Sequence, residues 1–169
     1  MRIFLIGFMG SGKTHWGKQI ASQIKLPFFD LDEVITNHEK RSVQEIFSES
    51  GEEHFRLREK EFLHKLIDEN NSMVLSTGGG TPCFFNNIEL MKKTGTVVWL
   101  NTHVEILLDR LLKEKATRPL LKNIDDKDLK NYIVRKLNER RMYFDQADVI
   151  MDNENNISLN EFIQTVLHA

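Results

Sequence analysis

Apolar residues fall into two kinds of run along this chain. Residues 3–6, 26–29, 73–76, 96–100 and 149–151 are short and nearly continuous, the pattern of strands buried on both faces. Between them apolar positions recur at helical spacing. Helices are predicted over 16–24, 34–40, 53–69, 86–93 and 125–144, with Phe55, Phe62, Leu63, Leu66 and Ile67 as the stripe of the third. Ser42-Val43-Gln44-Glu45 is a capping box that opens a further helix, broken at Ser50-Gly51. Thr102 is expected to cap a helix running to about Lys113, and Ser158 to cap a terminal one. Strand and helix in alternation predict an α/β fold, a parallel sheet covered on both faces. Ligands in such sheets lie beyond the carboxyl ends of the strands. Residues 7–14, 30–32, 76–80 and the segment after Leu100 are therefore expected to converge on one crevice.

The segment Gly7-Phe8-Met9-Gly10-Ser11-Gly12-Lys13-Thr14 gives that crevice its chemistry. It satisfies G-x-x-x-x-G-K-[ST], preceded by a strand and followed by a helix as the pattern requires. Glycines let successive backbone N–H groups turn inward, and the helix N-terminus adds partial positive charge. Gly10, Ser11 and Gly12 would cradle phosphates, Lys13 would reach the β- and γ-phosphates, and the Thr14 hydroxyl would ligate Mg²⁺. The chain is expected to bind a nucleoside triphosphate.

Composition narrows the picture. At 169 residues the chain suits one domain, and a net charge of −2 with interleaved signs offers no basic face for nucleic acid. No apolar run approaches a membrane span, and the first strand begins too close to the N-terminus for a signal peptide. A cytoplasmic enzyme is expected. The single cysteine, Cys83, follows Pro82 in a Gly/Pro-rich loop and reads as a packing residue. The six histidines show no close pair at metal-ligand spacing.

Several residues outside the phosphate loop admit two readings. Asp30 and Asp32 stand two apart at a strand end, so an extended backbone would face both side chains the same way. One would then hold water on Mg²⁺ and the other would orient or deprotonate an attacking hydroxyl; the alternative is a helix cap followed by solvated acids. Gly78-Gly79-Gly80 carries a large backbone entropy cost, better explained by a ligand approaching the backbone than by a hinge. Arg56 and Arg58 read by themselves as solvated helix-face arginines, with Glu52, Glu53, Glu59 and Glu61 to pair with; Arg140 and Arg141 read likewise. Arg118-Pro119 interrupts a basic segment that is either a lid over the phosphates or a plain surface loop.

Taken in order, these pieces resemble shikimate kinase. The likeness runs from Ile3 to about Asp152 and rests on the phosphate loop with Gly17, Asp30-Leu31-Asp32, Phe55-Arg56 with Glu59, Ser76-Thr77-Gly78-Gly79-Gly80, Arg118-Pro119-Leu120-Leu121, and Arg140 before Tyr143-Phe144. The resemblance implies a P-loop NTPase of the nucleoside-monophosphate-kinase-like type. Its five-stranded parallel sheet would have the order 2-3-1-4-5, with a substrate-binding region at about residues 32–60 and a mobile lid at about 113–124. It implies transfer of the ATP γ-phosphoryl group to the 3-hydroxyl of shikimate, in aromatic amino-acid biosynthesis, by a monomer acting on ATP and shikimate.

By the same resemblance Arg56 and Arg140 would take the substrate carboxylate, Asp32 its hydroxyls, and Gly78, Gly79 and Gly80 would line its site. Asp30 (through water) and Ser76 would serve the Mg²⁺ shell, Arg118 the lid and Arg110 the adenine face. The run Arg140-Arg141-Met142-Tyr143-Phe144 departs from the family's usual Pro-Leu-Tyr and leaves Arg141 as a rival to Arg140. The tail at residues 152–154 matches weakly, so its part in adenine binding is left open. Two other functions are weighed: a kinase of the same fold acting on gluconate or a similar polyol acid, and a nucleotide-dependent switch without turnover.

Overall fold

The computed structural model describes residues 1–152 and 157–168. The tail expectation at residues 153 and 154 therefore lies outside the described residues. In chain order the elements are β1 (Arg2–Ile6), α1 (Lys13–Ile24), β2 (Phe28–Asp30), α2 (Leu31–Glu39), α3 (Val43–Glu69), β3 (Met73–Ser76), α4 (Asn87–Thr94), β4 (Thr96–Asn101), α5 (Val104–Glu114), α6 (Asp126–Phe144), β5 (Val149–Asp152) and α7 (Leu159–Leu167). Short 3₁₀ turns occupy Thr81–Cys83, Lys115–Thr117 and Pro119–Leu121. The five strands form one parallel sheet in the order β2-β3-β1-β4-β5, as the resemblance implied.

Strand side chains alternate between two cores. Phe4 and Ile6 of β1, with Leu75, Val97 and Trp99, pack under α2, α3, α4 and the end of α6. Ile3 and Leu5, with Val74, Val98 and Leu100, pack under α1 and α7 through Ile20, Ala21, Phe162, Ile163 and Val166. A third cluster joins Phe8 to Leu107 and Leu111 of α5, Leu129 and Ile133 of α6, and Leu121. That last contact roots the far end of the basic segment.

The predicted capping box is present at Ser42 with Glu45, and the predicted cap Ser158 forms another with Glu161. The cap expected from Thr102 is not. His103 holds that position, and Thr102 instead donates to the Ser11 carbonyl at 3.2 Å, tying the end of β4 to the phosphate loop. The predicted break near Ser50-Gly51 is present: Gly51, at φ 83° and ψ 170°, leaves helical geometry and bends α3 into two helical arms. Among the described residues no helix is long and apolar enough to cross a membrane.

Candidate active site

At the carboxyl ends of the strands lies a cleft of about 610 Å³, walled by the phosphate loop, Asp30, Asp32, Ser76–Gly79 and the arginines Arg110 and Arg118. A smaller cavity of about 70 Å³ shares Met9, Asp32, Gly78, Gly79 and Arg118 with it and extends to Phe47, Phe55, Arg56, Glu59 and Arg140. The segments expected to converge do so.

The loop's geometry depends on Gly12, which at φ 93° takes the left-handed conformation from which α1 starts. Lys13 folds back over the loop, its Nζ donating to the carbonyls of Gly7 and Phe8, both at 2.9 Å. Burial pushes its amine down to about 8; Arg118 adds to that and the carboxylates of Asp32 and Asp30 oppose it. Ser11 Oγ, a polar group on the loop itself, is buried without a hydrogen-bond partner among the described residues. Arg110 reaches over from α5 and donates to the Gly10 carbonyl at 2.8 Å.

Asp30 and Asp32 do not share an extended backbone as expected: Asp30 is extended, at φ −110° and ψ 122°, and Asp32 is helical. The strand ends at Asp30, which caps α2, accepting from the amides of Asp32 at 3.1 Å and Glu33 at 3.4 Å. Its other carboxylate oxygen accepts from the Thr14 hydroxyl at 2.6 Å, and Ser76 Oγ lies 3.4 Å from that hydroxyl. Asp32 therefore belongs to the first turn of α2, yet it is not a solvated acid. Burial, then the nearby carboxylates of Glu59 and Asp30, push its carboxyl up to about 7 against the opposing pull of Lys13 and Arg118. Its Oδ1 is buried with no hydrogen-bond partner among the described residues.

Thr14, Asp30 and Ser76 supply hydroxyl and carboxylate oxygens, the hard donors that suit Mg²⁺. Among the described residues no group of three or more His, Cys, Asp or Glu side chains could enclose a metal. The donor set fits an ion held with phosphate oxygens and water, as Mg²⁺ is in kinase sites.

Arg56 is not a solvated arginine. It is 4% exposed, with Nη1 donating to Glu59 at 2.8 Å and Nε and Nη2 donating to Glu52 at 3.2 and 3.0 Å. Glu59, fully buried, also accepts from Thr81 Oγ1 at 2.6 Å. Burial pushes the Glu59 carboxyl up from its ordinary value, opposed by Arg56 and Thr81. Arg58 instead turns outward to Glu39 and Glu61.

Two of the three glycines, Gly78 and Gly80, lie against this pair. A Cβ on Gly80 would stand 2.7 Å from the Arg56 guanidinium, and one on Gly78 would stand 2.3 Å from Glu59 Oε1. At these two positions the protein's own buried charges approach the backbone closely, and a Cβ on Gly79 would stand 3.0 Å from the Met9 amide nitrogen.

Arg140 projects from α6 into the smaller cavity, donating to the Gly79 carbonyl at 3.1 Å and lying 5.3 Å over the Phe8 ring. Burial lowers the pKa of its guanidinium, and Arg56 lowers it further. Among the described residues it pairs with no acid. Arg141 faces elsewhere, toward Asp145 and the Trp99 ring. The neighbours are thus distinguished by direction. Arg118 lines both cavities from the turn before Pro119 and pairs with Glu114 at 2.6 Å.

Every residue singled out in the sequence lies at this end of the sheet except Arg58 and Arg141. Thr81 and Thr102 were missed. Only Glu59, three residues after Arg56 on a helix, gave a local signal of the pairing.

Comparison with known proteins agrees with this geometry. A sequence profile described as shikimate kinase matches residues 9–169. The chain is 40% identical over 166 residues to the shikimate kinase of Azobacteroides pseudotrichonymphae genomovar. CFP2, covering 98% of this chain and 97% of that protein. Its fold matches a crystal structure of shikimate kinase from Bacteroides thetaiotaomicron with a TM-score of 0.88 and 38% identity, over 99% and 97% of the two chains. A shikimate kinase from Acinetobacter baumannii in complex with shikimate matches with a TM-score of 0.87 and 31% identity, over 99% and 90%. With likeness in sequence and fold over nearly the whole of each chain, this protein belongs to the shikimate kinase family.

Proposed function

We propose that the protein transfers the γ-phosphoryl group of ATP to the 3-hydroxyl of shikimate. The observation that carries this reading is the pair Arg56 and Arg140. Two buried guanidiniums line one small cavity beside Asp32, and Arg140 has no acidic partner among the described residues. Such a site asks for an anion, and the planar fork of arginine suits a carboxylate. A cavity bounded also by Phe47 and Phe55 suits a carbon ring.

In this reading ATP occupies the larger cleft, with its phosphates on the backbone amides of residues 10–14 and its base toward Arg110. Lys13 leaves the carbonyls of Gly7 and Phe8 to bind phosphate oxygens, which restores the charge partner that burial denies it. Thr14, Asp30 (through water) and Ser76 would hold Mg²⁺. When bound, that ion supplies charge neutralisation on the phosphates.

Shikimate lies in the region of residues 32–60, its carboxylate on Arg56 and Arg140 and its ring near Gly78, Gly79 and Gly80. Asp32 accepts the 3-hydroxyl proton as the oxygen attacks. A carboxyl pushed up to about 7 is matched to proton transfer near neutral pH. Arg118, on the segment 113–124, neutralises charge on the transferring group as that segment closes. Positioning and electrostatics carry the reaction, with no covalent enzyme intermediate.

The test is ADP release with ATP and shikimate, quinate or gluconate in turn. Shikimate is expected to support turnover far better than the other two. A preference for gluconate would overturn the substrate assignment, and ATP binding without acceptor-dependent ADP release would make the protein a switch.

A further inference from the structure

Arg56 has an aromatic neighbour that neither the cavity nor the proposed reaction uses. The Phe84 ring centroid lies 4.8 Å from the Arg56 Cζ, closer than that of Phe55 at 5.7 Å. Phe84 is absent from the cavity lining and 37% exposed, while the guanidinium beneath it is almost wholly buried. The ring is therefore a cover between Arg56 and water.

The backbone that delivers this ring is unusual. After the 3₁₀ turn Thr81–Cys83, Phe85 and Asn86 are both left-handed, at φ 52° and 57°, a conformation that residues with a Cβ avoid. Hydrogen bonds fix the turn, from the Asn87 amide to the Phe84 carbonyl at 3.0 Å and from Asn87 Nδ2 to the Thr81 carbonyl at 3.0 Å. Two successive left-handed residues persist only where the surroundings demand them, and such places gather at functional sites. Here the same loop places Gly80 under the guanidinium, Thr81 on Glu59 and Phe84 on Arg56.

We infer that Phe84 is a positioning residue for carboxylate recognition: its ring fixes the Arg56 guanidinium and keeps it dry. The inference rests on Arg56 being a carboxylate ligand. Glu52 and Glu59 fix the edges of the guanidinium plane, but neither covers its face. A ring at 4.8 Å supplies negative quadrupole density there and excludes water that would compete with a substrate carboxylate.

Steady-state kinetics with shikimate and its methyl ester test this in Phe84→Leu and Phe84→Tyr. The leucine variant is expected to raise KM for shikimate about three- to tenfold, with kcat changed less than about twofold. Its preference for acid over ester should fall by the same factor, and tyrosine should restore both. A second series, replacing Phe84 with progressively fluorinated phenylalanines, weakens the ring's quadrupole while preserving its size. KM should rise step by step along it. An unchanged acid-to-ester ratio in Phe84→Leu, or a flat fluorination series, would overturn the inference while leaving Arg56 as the ligand. A wild-type enzyme indifferent to the ester would overturn the Arg56 reading and this one with it.

Discussion

Thr14 and Asp30 are joined by a hydrogen bond of 2.6 Å from hydroxyl to carboxylate, and the same carboxylate caps α2. One side chain thus links the first turn after the phosphate loop to the helix that carries Asp32. The two roles are separable by substitution. Asparagine caps helices as well as aspartate does, whereas alanine loses about 1 kcal/mol. Asp30→Asn should keep its melting temperature and need more Mg²⁺ for half-maximal turnover. Asp30→Ala should show the same metal dependence and also melt lower, by about 2–4 °C. A Mg²⁺ titration of both variants checks this, and an unchanged metal requirement would remove Asp30 from the metal shell.

Asp32→Asn should reduce turnover by about 10²–10⁴ and alter stability with the opposite sign. A carboxyl raised from 3.8 to about 7 holds its proton in the folded state after the unfolded chain has lost it. Stability is then fully present below about pH 4 and lost as pH rises through 7, to a ceiling of about 4 kcal/mol. The asparagine variant should therefore gain on wild type between pH 4 and pH 8 in denaturant melts. An equal difference at both ends would show that the carboxyl is not raised.

For Lys13 the sign runs the other way in pH. An amine lowered from 10.5 to about 8 contributes stability above its unfolded value, which is lost as pH falls through 8. Lys13→Met should accordingly be inactive but at least as stable as wild type at pH 7, with a native far-UV circular dichroism spectrum. Residual turnover near wild type would sink the phosphate-loop assignment.

These residues also show what the sequence made legible. Strand runs, the phosphate loop and both capping boxes are local, so their geometry follows from spacing. Asp30 and Asp32 defeated that logic because α2 begins at Leu31, converting an extended pair into a cap and a first-turn residue. The reason for Gly78 and Gly80 lay on α3, in a buried Arg56–Glu59 pair that helical periodicity alone shows as solvated charge. Only the resemblance to a family brought Arg56 and Arg140 together, since each sits on a separate helix.

Arg118 pairs with Glu114 and faces both cavities. Arg118→Ala should lower kcat far more than it raises the KM for shikimate. The range for arginines on transferring phosphoryl groups, about 10³–10⁵, is an upper bound where Lys13 shares the charge. A change confined to KM would place Arg118 in binding alone. Limited proteolysis within residues 113–124 should also slow when nucleotide is added.

Arg140 and Arg141 offer a built-in control, one aimed into the cavity and one away from it. Arg140→Lys keeps the charge and loses the fork, so shikimate binding should weaken by up to about 1.5–3 kcal/mol. Arg141→Lys should be nearly silent in isothermal titration. Equal losses in the two variants would point to net charge rather than a directed contact.

The bend at Gly51 divides α3 into two arms with different duties. Val43 and Phe47 before it give the small cavity part of its apolar wall, while Phe55, Arg56 and Glu59 after it give an aromatic ring and charge. Nothing lies within 4 Å of where a Cβ at Gly51 would stand, so a side chain there meets only the backbone cost of its φ of 83°. Two parts of the cavity wall are thus mounted on either side of one uncrowded joint. Selection can reshape the wall on the first arm while leaving the buried Arg56–Glu59 pair on the second in place.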